Sequence, residues 1–349
     1  MKSMETEARK ENILNYLPEE LETVITELGE KKFRATQLFG WLAKGVSDFD
    51  DMKNVPAALR TRLAESYYIG LPEVVRKQQS KDGTVKCLFR FYDGAEVESV
   101  FMKYEYGNSI CISSQVGCRM GCTFCASTMD GLERSLTGGE MLGQVLAMRN
   151  LTGEEIGHVV VMGMGEPFDN YEALSGFIRL IHEKKGYDLG LRNITVSTCG
   201  LIPMIRRFAI DFPQVNLAVS LHAPNQELRE RTMPVARKYN YDDLMKACRE
   251  YTELTGRRIT FEYAVIDGVN DSAACARELA SGLKGWLTHV NLIPLNEVKG
   301  REYKTANGRS VAAFKQILES SGVAVTVRRT LGSDIDAACG QLRRKKQCD

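Results

Sequence analysis

The stretch Cys111-Ile-Ser-Ser-Gln-Val-Gly-Cys118-Arg-Met-Gly-Cys122-Thr-Phe-Cys125 crowds three thiols onto one short loop directly after a strand-like run. Few chemistries use the spacing Cys-x3-Cys-x2-Cys. Structural zinc takes four protein ligands, usually as two Cys-x2-Cys or Cys/His pairs, and no second pair follows here. Three thiolates on a small loop suit a 4Fe-4S cluster whose fourth iron stays open for a non-protein ligand. Gly117 and Gly121 supply turns that other residues make only at a cost. An accidental group of buried or disulfide cysteines is the alternative, and a chain without a disulfide framework has little other use for such a group.

The rest of the chain is read as support for that loop. Its 349 residues exceed the usual single core, and one α/β barrel with a small accessory unit is the simplest division. With 44% apolar and 26% charged residues and no long apolar run, the composition is that of a soluble protein without a membrane span. The amino terminus lacks an apolar signal core, so a cytoplasmic location is expected, with the ten cysteines reduced and available for metal or redox chemistry. A net charge of +1 argues for no bulk attraction to a polyanion. Basic clusters at Lys31-Lys32, Arg206-Arg207, Arg257-Arg258, Arg328-Arg329 and 343–346 read first as solvated faces.

Taken in order, residues 1–72 read as a helical accessory unit. Pro18 opens a helix with Leu21, Val24, Ile25 and Leu28 on one face and Gly29 at its end; further helices are expected over 35–44 and after Pro56. Over 73–104 the period shifts to alternation, broken at Asp93-Gly94, which predicts a β-hairpin extension. Glu98 falls on its second arm, where the plain reading is an exposed strand carboxylate. From 105 to 335 strands and helices alternate, with strands expected at 110–113, 156–162, 194–197, 216–220, 259–265 and 290–294, and Thr137-Gly-Gly-Glu140 capping the first helix. Such alternation predicts parallel strands with right-handed crossovers, and six units make an open partial (β/α)6 barrel. A segment over 336–349 follows.

Sites in such sheets gather at the carboxyl ends of strands. There stand the cysteine loop, Gly165-Glu166, Ser197, Ser220-Leu221-His222 and Asn296, which offer the close backbone and hydrogen bonds that a nucleoside amino acid needs. Each has a plainer reading: a tight turn at Gly163-Met-Gly165, a satisfied loop histidine at His222, a helix cap at Asn296. Cys339, in Ala-Ala-Cys-Gly, reads by itself as a small buried residue, and Cys87, Cys199, Cys248, Cys275 and Cys348 as packing or tail residues.

Taken together these pieces carry a family resemblance. Cys118-x3-Cys122-x2-Cys125 resembles the cluster motif of the radical S-adenosylmethionine (SAM) superfamily, and Gly163-Met-Gly-Glu-Pro167 its motif for the SAM amino group. The stretch from Cys111 to Cys118, Ser220-Leu-His-Ala-Pro-Asn225 and Asp334-Ile-Asp-Ala-Ala-Cys339-Gly-Gln-Leu342 narrow this to the RlmN/Cfr family of radical SAM RNA adenine methyltransferases. Glu166-Pro167 and Asn291-Leu-Ile-Pro294 are similar to the RlmN branch, and the pattern departs at Asn296-Glu297, where relatives commonly carry Asn-Pro.

The resemblance implies a radical SAM barrel, a 4Fe-4S cluster on Cys118, Cys122 and Cys125, and two SAM molecules per turnover. It implies SAM contacts from Gly165, Glu166, Ser197, Ser220, Leu221, His222 and Asn296. Carbon 2 of adenine has no lone pair with which to attack SAM, so a radical route is needed and the cofactor supplies it. By this resemblance one SAM methylates Cys339, and a second yields the 5′-deoxyadenosyl radical that activates this methyl for addition to the base. Cys111 then attacks the Cys339 sulfur, leaving a disulfide to be reduced. Glu98 matches the family's proton acceptor. The implied partners are 23S rRNA, tRNA and an electron donor for the cluster, with no membrane and no oligomer expected; the helical unit and the basic residues near Arg328 are candidates for holding RNA. Rival readings are C8 methylation of adenine, a radical SAM enzyme acting on protein, and a non-catalytic metal-binding RNA module.

Overall fold

The computed structural model describes residues 10–343. Cys348 and the basic residues Arg344, Lys345 and Lys346 noted above lie outside the described residues, as does the stretch 1–9. The chain begins with a small helical unit. A two-residue strand β1 (Glu11–Asn12) pairs in parallel with β2 (Tyr67–Tyr68), enclosing α1 (Pro18–Glu27), α2 (Phe33–Ala43) and α3 (Ala57–Ser66). Proline at the first helical position of α1 gives up no hydrogen bond, since that N–H has no partner in any helix. Leu21, Ile25, Leu38, Leu42, Leu59 and Leu63 are buried and continuous with the core of the rest of the chain.

Next come β3 (Glu73–Gln79), β4 (Val85–Arg90) and β5 (Glu96–Tyr104), all antiparallel, with Asp93-Gly94 turning β4 into β5 as the sequence predicts. β5 pairs with β6 (Gly107–Ile112), which carries Cys111, and the hairpin of β7 (Gln115–Gly117) and β8 (Leu132–Ser135) brackets the cysteine loop. From there the order is α4 (Gly138–Thr152), β9 (His158–Val161), α5 (Tyr171–His182), β10 (Ile194–Thr198), α6 (Ile202–Asp211) and β11 (Asn216–Ser220). It continues through α7 (Gln226–Thr232), α8 (Tyr241–Thr255), β12 (Ile259–Val265), α9 (Ala273–Leu283), β13 (Thr288–Pro294), α10 (Gly308–Ser320) and β14 (Ala324–Val327).

Ten of these strands form one open sheet in the order β14-β13-β12-β11-β10-β9-β6-β5-β4-β3. Every pairing from β6 to β14 is parallel, giving the open α/β barrel of the radical SAM type. The six expected parallel strands are present, and β14 pairs beyond them on β13. Its four residues are mostly exposed, so no apolar pattern announces it. The antiparallel strands β3 to β5 extend the same sheet on the other side of β6. Among the described residues no helix is long and apolar enough to cross a membrane.

α4 is buried nearly all round, because the sheet lies on one side and the helical unit on another. Its first turn closes the expected capping box: Glu140 N–H donates to Thr137 Oγ1 at 3.1 Å and Thr137 N–H to Glu140 Oε2 at 2.8 Å. The helical unit is fastened to α4 by Gly139 N–H on Asn15 Oδ1, Arg149 Nη2 on the Ala43 carbonyl and Asn150 Nδ2 on the Gly45 carbonyl, at 2.7 to 2.8 Å. On the sheet side, fully buried Gln144 ties three segments together. Its Oε1 accepts from Ser99 Oγ at 2.7 Å and Ser113 N–H at 2.9 Å, while its Nε2 donates to the Ser113 carbonyl at 3.0 Å. Gln144→Leu keeps the volume and strands three buried polar groups, so urea unfolding is expected to show a loss of about 2–4 kcal/mol. A loss below about 0.5 kcal/mol, the range of an ordinary surface change, contradicts this account.

Candidate active site

The cysteine loop leaves the sheet at the carboxyl end of β6, where crevice sites form in parallel sheets. Gly117 makes its tight start possible: φ is +78°, and a Cβ there would sit 1.9 Å from the Gly131 carbonyl oxygen. That same oxygen accepts the Cys118 N–H at 3.0 Å. Thr128 Oγ1 lies 3.0 Å from the carbonyls of both Cys122 and Cys125, and Arg301 Nη2 donates to the Cys125 carbonyl at 3.1 Å. The loop is therefore fixed by its backbone, leaving the thiols to the interior. Burial pushes the Cys118 thiol up to about 12; it also raises Cys122 and Cys125, and the neighbouring thiols add to the rise at Cys122. Iron binds thiolates, so loading this loop releases protons.

Cys118, Cys122 and Cys125 line a cavity of about 160 Å³ together with Gly165, Glu166, Ser197, Ser220, His222 and Asn296. Gly165 takes φ of +102°, and a Cβ there would meet Gln115 Cβ at 2.6 Å, so the 163–166 loop can lie against β7 only as bare backbone. Glu166 is buried; its Oε1 accepts the Phe168 N–H at 3.0 Å and its Oε2 the Cys199 N–H at 2.7 Å, while burial raises its pKa. Ser197 Oγ and Ser220 Oγ stand 3.5 Å apart at the ends of β10 and β11. His222 has a left-handed backbone, φ +55°. Its Nδ1 accepts the Ala264 N–H at 2.9 Å, so the ring proton resides on Nε2. Burial, reinforced by Arg229, lowers its pKa to about 3 and keeps the ring neutral. Leu221 differs from its neighbours: it is fully buried, does not line the cavity, and donates its N–H to the Glu262 carbonyl at 3.0 Å.

A second cavity of about 30 Å³ adjoins the first and shares Met162, Ile293, Asn296, Arg328, Cys339 and Leu342 with it. Cys111 and Cys339 both line it. Burial pushes the Cys111 thiol up to about 12, with Cys339 reinforcing and Arg328 opposing. The segment bearing Cys339 is held by the cysteine loop itself: Ala126 N–H donates to the Gly340 carbonyl at 2.8 Å and Ser127 Oγ to the Leu342 carbonyl at 2.7 Å. Asn296 Nδ2 donates to the Cys339 carbonyl at 3.1 Å, and Gln341 Nε2 to the Glu297 carbonyl at 3.1 Å. At the position where the motif departs from Asn-Pro, the contact is thus made by a backbone carbonyl.

Glu98 stands apart from both cavities. It is buried on β5, where Lys86 Nζ lies 3.3 Å from its Oε1 and the Arg343 N–H donates to its Oε2 at 2.9 Å. Lys86 also donates to the Asp336 carbonyl at 3.1 Å. The exposed strand carboxylate of the plain reading is therefore a buried ion pair clasping the carboxyl-terminal segment.

Two features test the fit of a cluster. Among the described residues no three His, Cys, Asp or Glu side chains converge on a single ion; a cluster asks instead for thiolates spread over separate irons, and the loop offers three, one for each of three irons. The second is Arg229. It is fully buried within electrostatic reach of Cys122 and Cys199, donates to the Cys199 carbonyl at 2.6 Å, and has no partner for Nε or Nη1 among the described residues. A buried cation of this kind lacks an anionic neighbour, and a thiolate-ligated cluster is one. Arg229 and Glu262 are parts of the site that sequence reasoning did not name, while Cys199, read as a packing residue, and Arg328, read as a candidate for holding RNA, line the cavity. Glu262, inward on an otherwise apolar strand, carried a readable signal; Arg229, inside the polar run Gln-Glu-Leu-Arg-Glu-Arg-Thr, carried none.

Comparison with known proteins agrees with this geometry. Residues 112–276 match the Radical SAM superfamily, and residues 11–69 match the ribosomal RNA large subunit methyltransferase N-terminal domain. The chain is 50% identical to a probable dual-specificity RNA methyltransferase RlmN of Clostridium tetani, covering 96% of each chain. It is 53% identical to a protein of the same name from Lachnospira eligens, covering 95% of each. The crystal structure of a radical SAM methyltransferase from Sphaerobacter thermophilus superposes with a TM-score of 0.92 at 47% identity, over 95% of this chain and 99% of that one. Full-length identity at this level, together with the three-thiol loop at the mouth of an open parallel barrel, shows that the chain belongs to the RlmN family of radical SAM RNA methyltransferases, whose cofactors are a 4Fe-4S cluster and SAM.

Proposed function

We propose that this enzyme methylates carbon 2 of an adenosine in the peptidyl-transferase centre of 23S rRNA and of the adenosine beside the anticodon of tRNA, acting in the cytoplasm. The methyl group travels on Cys339, and Cys111 releases the product. The observation that carries this reading is the shared cavity: two cysteines far apart in sequence line one small space that opens into the cavity of the cysteine loop. A radical SAM enzyme acting on protein has no need of that pair. The relatives are named dual-specificity RNA methyltransferases, which supports RNA as the substrate.

Each group has a task in this scheme. Cys118, Cys122 and Cys125 hold the cluster, and Ser197, Ser220, His222, Asn296 and the 163–166 loop surround the space for SAM. When bound, these cofactors supply the one-electron chemistry that an electron-poor, sp²-hybridised ring carbon demands. The neutral His222 offers an Nε2–H donor, which no change of pH near neutrality removes. Cys339 joins protein to base through its methyl-derived carbon. Cys111, kept protonated by burial, loses its proton and attacks the Cys339 sulfur: a sulfur–sulfur bond forms, the sulfur–carbon bond breaks, and its electron pair stays with the base-bound carbon, which takes up a proton and becomes the methyl group. Two electrons from an external thiol then restore both cysteines. Glu98 is the proton acceptor of this scheme. Because its carboxylate holds the Arg343 N–H, it is released for that task as the carboxyl-terminal segment shifts.

Two outcomes follow. With reconstituted enzyme and an unmodified tRNA transcript, mass-spectrometric nucleoside mapping should give 2-methyladenosine beside the anticodon; 8-methyladenosine as sole product contradicts the C2 assignment. Cys339→Ala should lower turnover about 10³-fold or more, as loss of a covalent nucleophile does, while Cys111→Ala should accumulate protein covalently joined to RNA. Undiminished methylation by Cys339→Ala, or no adduct with Cys111→Ala, removes the two-cysteine scheme.

A further inference from the structure

We propose that Tyr106, stacked on Tyr104, is a platform for an unpaired RNA base flanking the one that is modified. This rests on RNA being the substrate, as proposed above, and adds a site to it. Tyr104, the last residue of β5, lines the cavity that holds Cys111 and Cys339. Tyr106 lies in the turn before β6, with its ring 4.9 Å from that of Tyr104 and the two planes within 9° of parallel. His158 braces Tyr106 from the side, its ring 5.3 Å away and nearly perpendicular at 87°.

One face of the Tyr106 ring is therefore covered, yet the residue remains 68% exposed. A lone exposed tyrosine is ordinary on a protein surface. What sets this one apart is a parallel aromatic partner inside a reactive cavity, a perpendicular brace, and basic residues at the same opening. Arg328 and Arg329 line the cavity beside Tyr104, and the exposed Arg329 can meet phosphate there. Flat rings continued by cationic side chains fit single-stranded RNA, whose unstacked bases lie on aromatic faces while its backbone is drawn to positive charge.

Spacing decides which base occupies the platform. From Gly107, next to Tyr106, to Cys111 is four residues of strand, roughly 13 Å. With Cys111 that far along the strand, the platform is assigned to a neighbour of the base whose carbon reaches Cys339. The platform serves a neighbour and holds the RNA strand in register.

The test measures binding of an unmodified tRNA transcript to cluster-loaded enzyme by fluorescence anisotropy, together with KM and kcat for its methylation. Tyr106→Ala and Tyr106→Leu should raise Kd and KM about tenfold or more with kcat little changed, whereas Tyr106→Trp should bind as wild type does. Iron content and thermal midpoint report folding, and Ile210→Ala, at a 72% exposed site on α6, is the control for loss of any exposed apolar side chain. Wild-type affinity in Tyr106→Ala overturns the platform. Wild-type affinity in Tyr106→Leu overturns it too, by showing that bulk and not a flat ring is needed. A wild-type protein that neither binds nor methylates RNA fails the proposed function itself, a result distinct from either.

Discussion

The docking of the carboxyl-terminal segment against the cysteine loop is the contact on which the site depends. Ala126 and Ser127, directly after Cys125, hold the carbonyls of Gly340 and Leu342, and Asn296 holds that of Cys339, just before them. Each such hydrogen bond is worth only about 1 kcal/mol net. Together they bring a cysteine near the end of the chain into the interior of a barrel built from residues far upstream. The same segment completes the Lys86–Glu98 pair. A buried ion pair repays its desolvation only when its other hydrogen-bonding groups are met; here the Asp336 carbonyl meets Lys86 and the Arg343 N–H meets Glu98. Undocking would leave two buried charges under-satisfied, so the pair and the segment support one another.

The barrel provides the frame for this docking. α4 packs on the sheet between the helical unit and the strands, and Gln144 reaches from it to Ser113, two residues beyond Cys111. That residue fixes the point where the chain stops being strand and becomes the cysteine loop. Ser113 Oγ in turn donates to the Glu98 carbonyl at 2.7 Å and accepts the Met164 N–H at 2.9 Å, so β5, β6 and the 163–166 loop meet at one hydroxyl. The positions of Cys111, Glu98 and Gly165 are thus set by a single buried polar network.

Much of this was legible in the sequence, for reasons that differ by residue. The cysteine spacing, the capping box at Thr137 and the Asp93-Gly94 turn are local signals, decided by neighbours within a few residues, and each element formed where its signal lay. The strand ends that gather around the cavity followed from the alternation of elements. What was illegible depends on contacts between distant segments. Glu98 alternates like a solvent-facing residue, and only the approach of Lys86 and Arg343 buries it. Arg229 sits in a run of polar residues whose helix turns one guanidinium inward. β14 has no apolar face to announce it, and Tyr106 becomes informative only once Tyr104 is seen lining the cavity of Cys111 and Cys339.

The central claim is that Cys339, among ten cysteines, carries the methyl group. Protein expressed anaerobically with its cluster intact can be digested and each cysteine peptide weighed. The account predicts one added methyl on the peptide containing Cys339 and none on that containing Cys111. An unmodified Cys339 peptide from enzyme that methylates RNA, or the methyl on Cys111 instead, contradicts it.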